Sequence, residues 1–200
     1  KQYFIYERVM TMKDNANSIY DQTGKTRNMT VIGLVTAVIC IAAPFSIPIP
    51  VSPVPLSLTN FMIFLAVYIL GMKSASVCVI LYLILGAAGL PVFSSFSGGL
   101  AKLAGPTGGY LAGFILLALL QGFFLEHFPE KKYAAVPGMI LGMAVCYTFG
   151  TTWLAWQTGQ SFTASLSLGV LPYLPGDAVK IIAAAIAGPK LRAAVKKQRR

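Results

Sequence analysis

Asp177 and Lys180 stand three positions apart in the segment LPYLPGDAVK, with apolar sequence on both sides. On a helix, residues at i and i+3 share a face, so the carboxylate and the ammonium can meet. An ionisable group inside an apolar span is costly unless it is paired or faces a polar cavity, which makes the two a candidate site for gripping a polar solute. The competing reading is an ion pair that only locks helices together. Pro175 and Gly176, just ahead of the pair, predict a break in the helix, and non-helical backbone at depth is tolerated where it lines protein or water.

Other residues offer ligand chemistry. Asn60 is the lone amide in the apolar run SLTNFMIFLAVYILG and either hydrogen-bonds a neighbouring helix or faces a ligand. From Gly89 to Tyr110, GLPVFSSFSGGLAKLAGPTGGY mixes glycines, hydroxyls, rings and one lysine, which suits a lid as well as a plain connector. Its GPTGG lacks the Gly-Lys-Ser/Thr ending that charge-matches phosphate. Trp153 and Trp156 read as membrane-interface anchors before ligand contacts. His127 lies in the charged stretch EHFPEKK. One histidine and one buried acid make no acid/base pair, nucleophile dyad or metal cluster, so neither catalysis nor a metal or cofactor site is expected. There is no Walker-type sequence either, so ATP hydrolysis would need another subunit.

The elements that must position these residues are set by composition. The chain has 200 residues, 56% hydrophobic and 11% charged, and a mean hydropathy of +0.70. No carboxylate occurs between Asp21 and Glu126. Such a surface suits lipid, not water. The net charge of +10 would fit nucleic acid, but seven of the sixteen basic residues lie from Lys180 onward, where they flank a membrane exit and face anionic headgroups. Cys40, Cys78 and Cys146 fall in apolar runs, where thiols act as small hydrophobes.

Six apolar runs follow one another: Met29 to Pro44, then about Ser57 to Gly71, Ser74 to Leu90, Gly108 to Leu125, Val136 to Trp156 and Pro172 to Gly188. The expected fold is all-α, a polytopic membrane protein built as a compact bundle of six transmembrane helices. Residues 1–27 form a polar segment with no assigned role, 28–190 the membrane domain and 191–200 a basic tail; no cleaved signal peptide is expected. IPIPVSPVP after the first run reads as an extended connector. Lys25 and Arg27, Lys73, Lys131 and Lys132, and the tail all fall on one side and only Lys102 on the other, which predicts cytoplasmic N and C termini. On that side the Asn28 glycosylation sequon would stay unmodified.

GLPVFS, GPTGGYLAGF and GDAVK, in this order and at these separations, resemble the biotin-specific S component (BioY) of energy-coupling factor transporters, over about residues 30 to 190. The resemblance implies an S-component fold with an outward-facing vitamin pocket, in a bacterial inner membrane. It also implies two cytoplasmic ATPase subunits and a membrane coupling subunit, on which the loaded S component tips to release biotin inside. Within that frame Asp177 would accept the ureido N–H groups and Lys180 donate to the ureido carbonyl. Phe93, Phe96 and Tyr110 would meet the rings, and Lys102 or nearby serines, Ser94 among them, the carboxylate. Asn60 stands where the family pattern has glutamine, and its shorter side chain leaves its reach open. Gly33 and Ala37 form a small-xxx-small pair that would let a partner helix approach the first span, or serve internal packing. An S component for another small vitamin and a stand-alone facilitator are the competing functions; the lack of a charged ring or duplicated halves counts against a channel.

Overall fold

A computed structural model of the chain describes residues 26–48, 50, 52–128 and 133–198. Residues 1–25, together with Glu130, Lys131, Lys132, Arg199 and Arg200, lie outside the described residues, and with them part of the charge pattern used to orient the chain. The helices are α1 (Thr26–Ala42), α2 (Thr59–Leu70), α3 (Met72–Ala87), α4 (Leu100–Ala104), α5 (Gly108–His127), α6 (Ala135–Thr158), α7 (Phe162–Gly169) and α8 (Leu174–Gln198). Short 3-10 turns occupy Ser94–Phe96 and Leu171–Tyr173.

Among the described residues, three helical stretches are long and apolar enough to cross a membrane: Gly108–His127, Ala135–Thr158 and Phe162–Lys197. α1, α2 and α3 are shorter apolar helices. At 1.5 Å per residue α2 rises only about 18 Å against a hydrocarbon thickness of about 30 Å, so its ends need shielding by protein. The bundle supplies it: Ile63, Phe64, Val67 and Tyr68 of α2 are buried between neighbours. Outward-facing Leu34, Ile41, Ile140, Trp156, Ile182 and Ile186 are all more than half exposed, an apolar belt suited to lipid and not to water.

Close packing is made by small residues. The α5–α6 pair is the tightest: Gly113 lies against Cys146, Gly142 against Leu117 and Gly138 against Gln121, so the two backbones approach where a side chain would hold them apart. The α2–α3 turn is a single residue, Gly71, at φ 80°, where glycine is the residue without steric cost. The first free N–H of α3, on Met72, donates to Glu126 Oε1 at 2.7 Å, so the acid at the end of α5 caps α3.

Two expectations are corrected. The proline-rich connector after α1 is not a simple extended strand: it folds back as β1 (Ser46–Ile47) and β2 (Leu56–Ser57), paired antiparallel with Ser46 opposite Ser57. Pro175 and Gly176 do not break the helix, because they lie in the first turn of α8, where a missing N–H leaves no bond unmade. The break falls earlier, at the 3-10 turn that joins α7 to α8. α8 then runs through Pro189 into the basic tail as far as Gln198.

Connections gather at the two ends. At one, Ser95 N donates to Pro44 O at 3.0 Å, Gln157 Nε2 to Ala104 O at 2.6 Å and Trp153 Nε1 to Gly105 O at 2.9 Å, tying the loop after α3 to the end of α1 and the last turns of α6 to the end of α4. At the other, Glu126 meets Met72 and Arg192 donates to Leu125 O at 3.3 Å.

Where α8 leaves the bundle centre, Gly188 lies flat against the Tyr68 ring of α2, and a Cβ there would run into that ring. Gly188→Leu is expected to pry α8 from α2 and cost about 1–3 kcal/mol. A thermal unfolding midpoint in detergent equal to wild type would contradict this packing.

Candidate functional site

The starts of α2 and α8 meet at the loop end. Asn60 is in the first turn of α2, Asp177 in the first turn of α8 and Lys180 one turn further on. A helix N-terminus favours negative charge, which is a local reason for an acid at position 177. Asp177 is 6% exposed, and Lys180 is half-buried beside it.

The polar groups form a closed circuit. Lys180 Nζ lies 2.8 Å from Asp177 Oδ1, as the i, i+3 spacing predicts. Asn60 Nδ2 donates to the same Oδ1 at 2.7 Å, and Asn60 Oδ1 accepts from Lys180 Nζ at 3.1 Å. The third ammonium proton goes to the backbone carbonyl of Ser57 at 2.6 Å, so all three donors of Lys180 are used. Asp177 Oδ2 accepts from the phenol of Tyr147 on α6. The shorter amide of Asn60 therefore reaches the pair.

A cavity of about 60 Å³ adjoins this circuit, walled by Asn60, Asp177, Lys180, Tyr110, Phe114, Met143 and Tyr147, with Tyr173 of the turn before α8 and Val54 and Leu56 of the hairpin. Tyr173 donates to Val54 O, which pins the hairpin over the opening. Tyr110 fits because its neighbours are bare: a Cβ on Gly150 or Gly169 would collide with it, and its hydroxyl is 3.3 Å from Thr151 Oγ1. A second, larger space of about 600 Å³ opens outside the hairpin, lined by Phe45, Ser46, Leu56, Ser57, Ser95, Phe96 and again Lys180. Leu56, Ser57 and Lys180 line both.

The predicted residues separate into groups. Asp177, Lys180, Asn60 and Tyr110 come together at the inner cavity, and Phe96 reaches the outer groove, with its ring 5.4 Å from that of Phe45. Phe93 lines neither space: it is fully buried against α3, edge-on to Tyr82 at 5.4 Å and over Gly86. Ser94 turns its carbonyl to the Ser97 hydroxyl at 2.7 Å. Lys102, on α4, lines neither space, and its partial burial lowers its pKa from the ordinary lysine value. Trp153 and Trp156 stack edge-on to each other away from the cavity. Gly33 and Ala37 are exposed on α1, with open space above Gly33, so neither serves internal packing. Among the described residues no three His, Cys, Asp or Glu side chains group as metal ligands. Tyr147 and the Ser57 carbonyl went unforeseen; the available signal was a tyrosine inside a membrane span, whose hydroxyl has to find a partner.

A bundle of apolar helices in which a buried acid, a half-buried base and a buried amide converge on a small cavity has the make-up of a membrane-embedded binder of a polar solute. Residues 12–197 match the BioY family, to which the chain belongs. A biotin transporter BioY of Thermotoga maritima is 37% identical over 83% of this chain and 96% of its own length. A probable biotin transporter BioY of Pyrococcus horikoshii is 36% identical over 84% and 98%, and biotin transporter BioY2 of Lactococcus lactis subsp. cremoris 32% over 84% and 91%. Among solved structures, the S-component for biotin from an ECF-type ABC transporter superposes with a TM-score of 0.79 at 31% identity, covering 86% of this chain and 93% of that one.

Removing Lys180 alone would leave Asp177 as an uncompensated buried charge, so Lys180→Met is expected to cost about 3–5 kcal/mol of stability. Adding Asp177→Asn to the same chain should recover most of the loss. Thermal unfolding of the two variants in detergent measures the difference, and equal midpoints would show that the pair contributes no charge compensation.

Proposed function

We propose that this chain is the biotin-binding S subunit of an energy-coupling factor importer in the bacterial cell membrane. It is a binding subunit, not an enzyme, and no cofactor enters the reading: biotin is its bound substrate. The observation that carries it is the role of Asn60. Its carboxamide presents a carbonyl to Lys180 and an N–H to Asp177, so the charged pair is complementary to a carbonyl flanked by N–H groups. The ureido head of biotin is that group, with one carbonyl between two N–H donors. It can take over these bonds like for like, which matters because an unmatched partner here would leave a buried charge unsatisfied.

Size supports the same cargo. The inner cavity is far below the roughly 300–1,000 Å³ of ordinary ligand pockets and admits only a small polar head. The three fused rings of riboflavin, which also carry a carbonyl and N–H edge, are too large for it. The valeryl chain of biotin then lies along the outer groove past Phe45 and Phe96, with its carboxylate toward the Ser46 and Ser95 hydroxyls, which are 3.1 Å apart.

In this reading six apolar segments cross the membrane, counting α7 and α8 as one, with both termini cytoplasmic and the site opening outward. Arg27, Lys73 and the Lys190–Lys197 stretch fall on the inner side. The partners are lipid, a membrane coupling subunit and two cytoplasmic ATPase subunits, since the chain has no nucleotide-binding sequence of its own. Gly33 and Ala37, exposed on α1 beside Leu34 and Ile41, are the coupling contact.

Asp177→Ala is expected to insert and purify yet lose high-affinity binding in calorimetry with biotin, while wild type ignores thiamine and riboflavin. Near-normal affinity in the variant, or preference for either other vitamin, would overturn the assignment. Gly33→Leu with Ala37→Leu should leave biotin affinity intact but abolish co-purification with the coupling subunit; retention of the complex would move the contact elsewhere.

A further inference from the structure

The two oxygens of Asp177 face different ways. Oδ1 takes the bonds from Asn60 and Lys180, and Oδ2 takes the one from Tyr147. Tyr147 is not near the charged pair in sequence and comes from a different helix, α6.

Its position is a partition. On one side is the inner cavity; on the other is an apolar crevice of about 250 Å³ between α6 and α8, walled by Ile140, Ala144, Leu174 and Ile181. Ile140 is 57% and Leu174 46% exposed, so this crevice opens on the outer surface of the bundle, where the solvent is hydrocarbon. Met143, Tyr147 and Asp177 line both spaces. Without the phenol, Oδ2 would face the crevice with no donor, and a buried carboxylate oxygen left so is expensive.

The second consequence is rotational. The terminal torsion of an aspartate is broad, so a carboxylate held by one oxygen can swing about its last bond. A donor on Oδ2 removes that freedom and thereby fixes where Oδ1 points. The geometry points to Tyr147 as the positioning residue of the ligand site: it orients the Asp177 carboxylate toward the solute and keeps membrane hydrocarbon off it. The inference rests on the reading of Asp177 as a ligand group.

Tyr147→Phe keeps the ring and the partition and removes only the donor. It is expected to weaken biotin binding about tenfold, the scale of a lost hydrogen bond to a charged group. A purely structural role could weaken binding too, so a second readout is needed. The antisymmetric carboxylate stretch of Asp177, recognised by its disappearance in Asp177→Asn, should shift in the infrared spectrum of ligand-free Tyr147→Phe. Affinity within about twofold of wild type, or a weakened affinity with that band unmoved, would overturn the proposal. Normal biotin binding by Asp177→Ala would instead overturn the ligand reading beneath it, whereas its loss there, with normal binding in Tyr147→Phe, sinks this inference alone.

Discussion

A carboxylate and an ammonium inside a hydrocarbon-solvated bundle have to be satisfied by protein, and the rest of the site is arranged around that need. Asp177 and Lys180 supply one bond to each other, which is not enough: the ammonium has two more protons and the carboxylate a second oxygen. Asn60, the Ser57 carbonyl and Tyr147 provide the remainder from α2, the hairpin and α6. Four separate segments are thus drawn to one point by the requirement that no buried charge lacks a partner. The helices that bring them there are held by apolar and glycine packing, which sets distances but carries no preference for polar cargo.

The same requirement bears on the proposed exchange of partners. Asn60 offers Lys180 a carbonyl and Asp177 an N–H, so protein groups alone complete the circuit. In the proposed reading, exchange of one amide for another keeps the number of bonds nearly constant. Selectivity would then come from what cannot make the exchange: a cation, a lone carboxylate or a bulky ring system would leave some member of the circuit unpaired or not fit.

Much of this was legible in the sequence. Helices α2, α3, α5 and α6 begin and end within a few residues of the apolar runs that predict them, because Gly71, the Gly-Pro stretch before Gly108 and the charged stretch after Phe124 are hard limits on an apolar helix. The Asp177–Lys180 contact followed from spacing alone. Other features had no sequence signal of that kind. SFTASLSLG is too small and polar to announce α7, whose first turn is capped by Ser161 and whose buried face is only Ser165 and Gly169. Proline spacing in IPIPVSPVP suggested extension, whereas the hairpin depends on Ser46 and Ser57 meeting across a gap of eleven positions. Phe93 and Phe96 look equivalent in the loop, yet Ser95 and Phe96 both take positive φ, and that reversal sends Phe93 inward and Phe96 out. Asn60 has two readings in the sequence because the partner that decides between them, Asp177, lies 117 positions away.

The acid and the base share one rigid helix, and this limits how the gripping hand can let go. Two residues a single turn apart on α8 cannot be pulled away from each other by any movement of whole segments, so in the proposed reading unloading would involve the opposite jaw. That jaw is the start of α2 with the hairpin strand joined to it, which contributes Asn60 and the Ser57 carbonyl. A seam opening between α2 and α8 at this end would expose the charged pair to water and release the cargo in one motion. Further along the same two helices, Tyr68 near the end of α2 packs against Gly188 in the middle of α8, so the two are also joined away from the site.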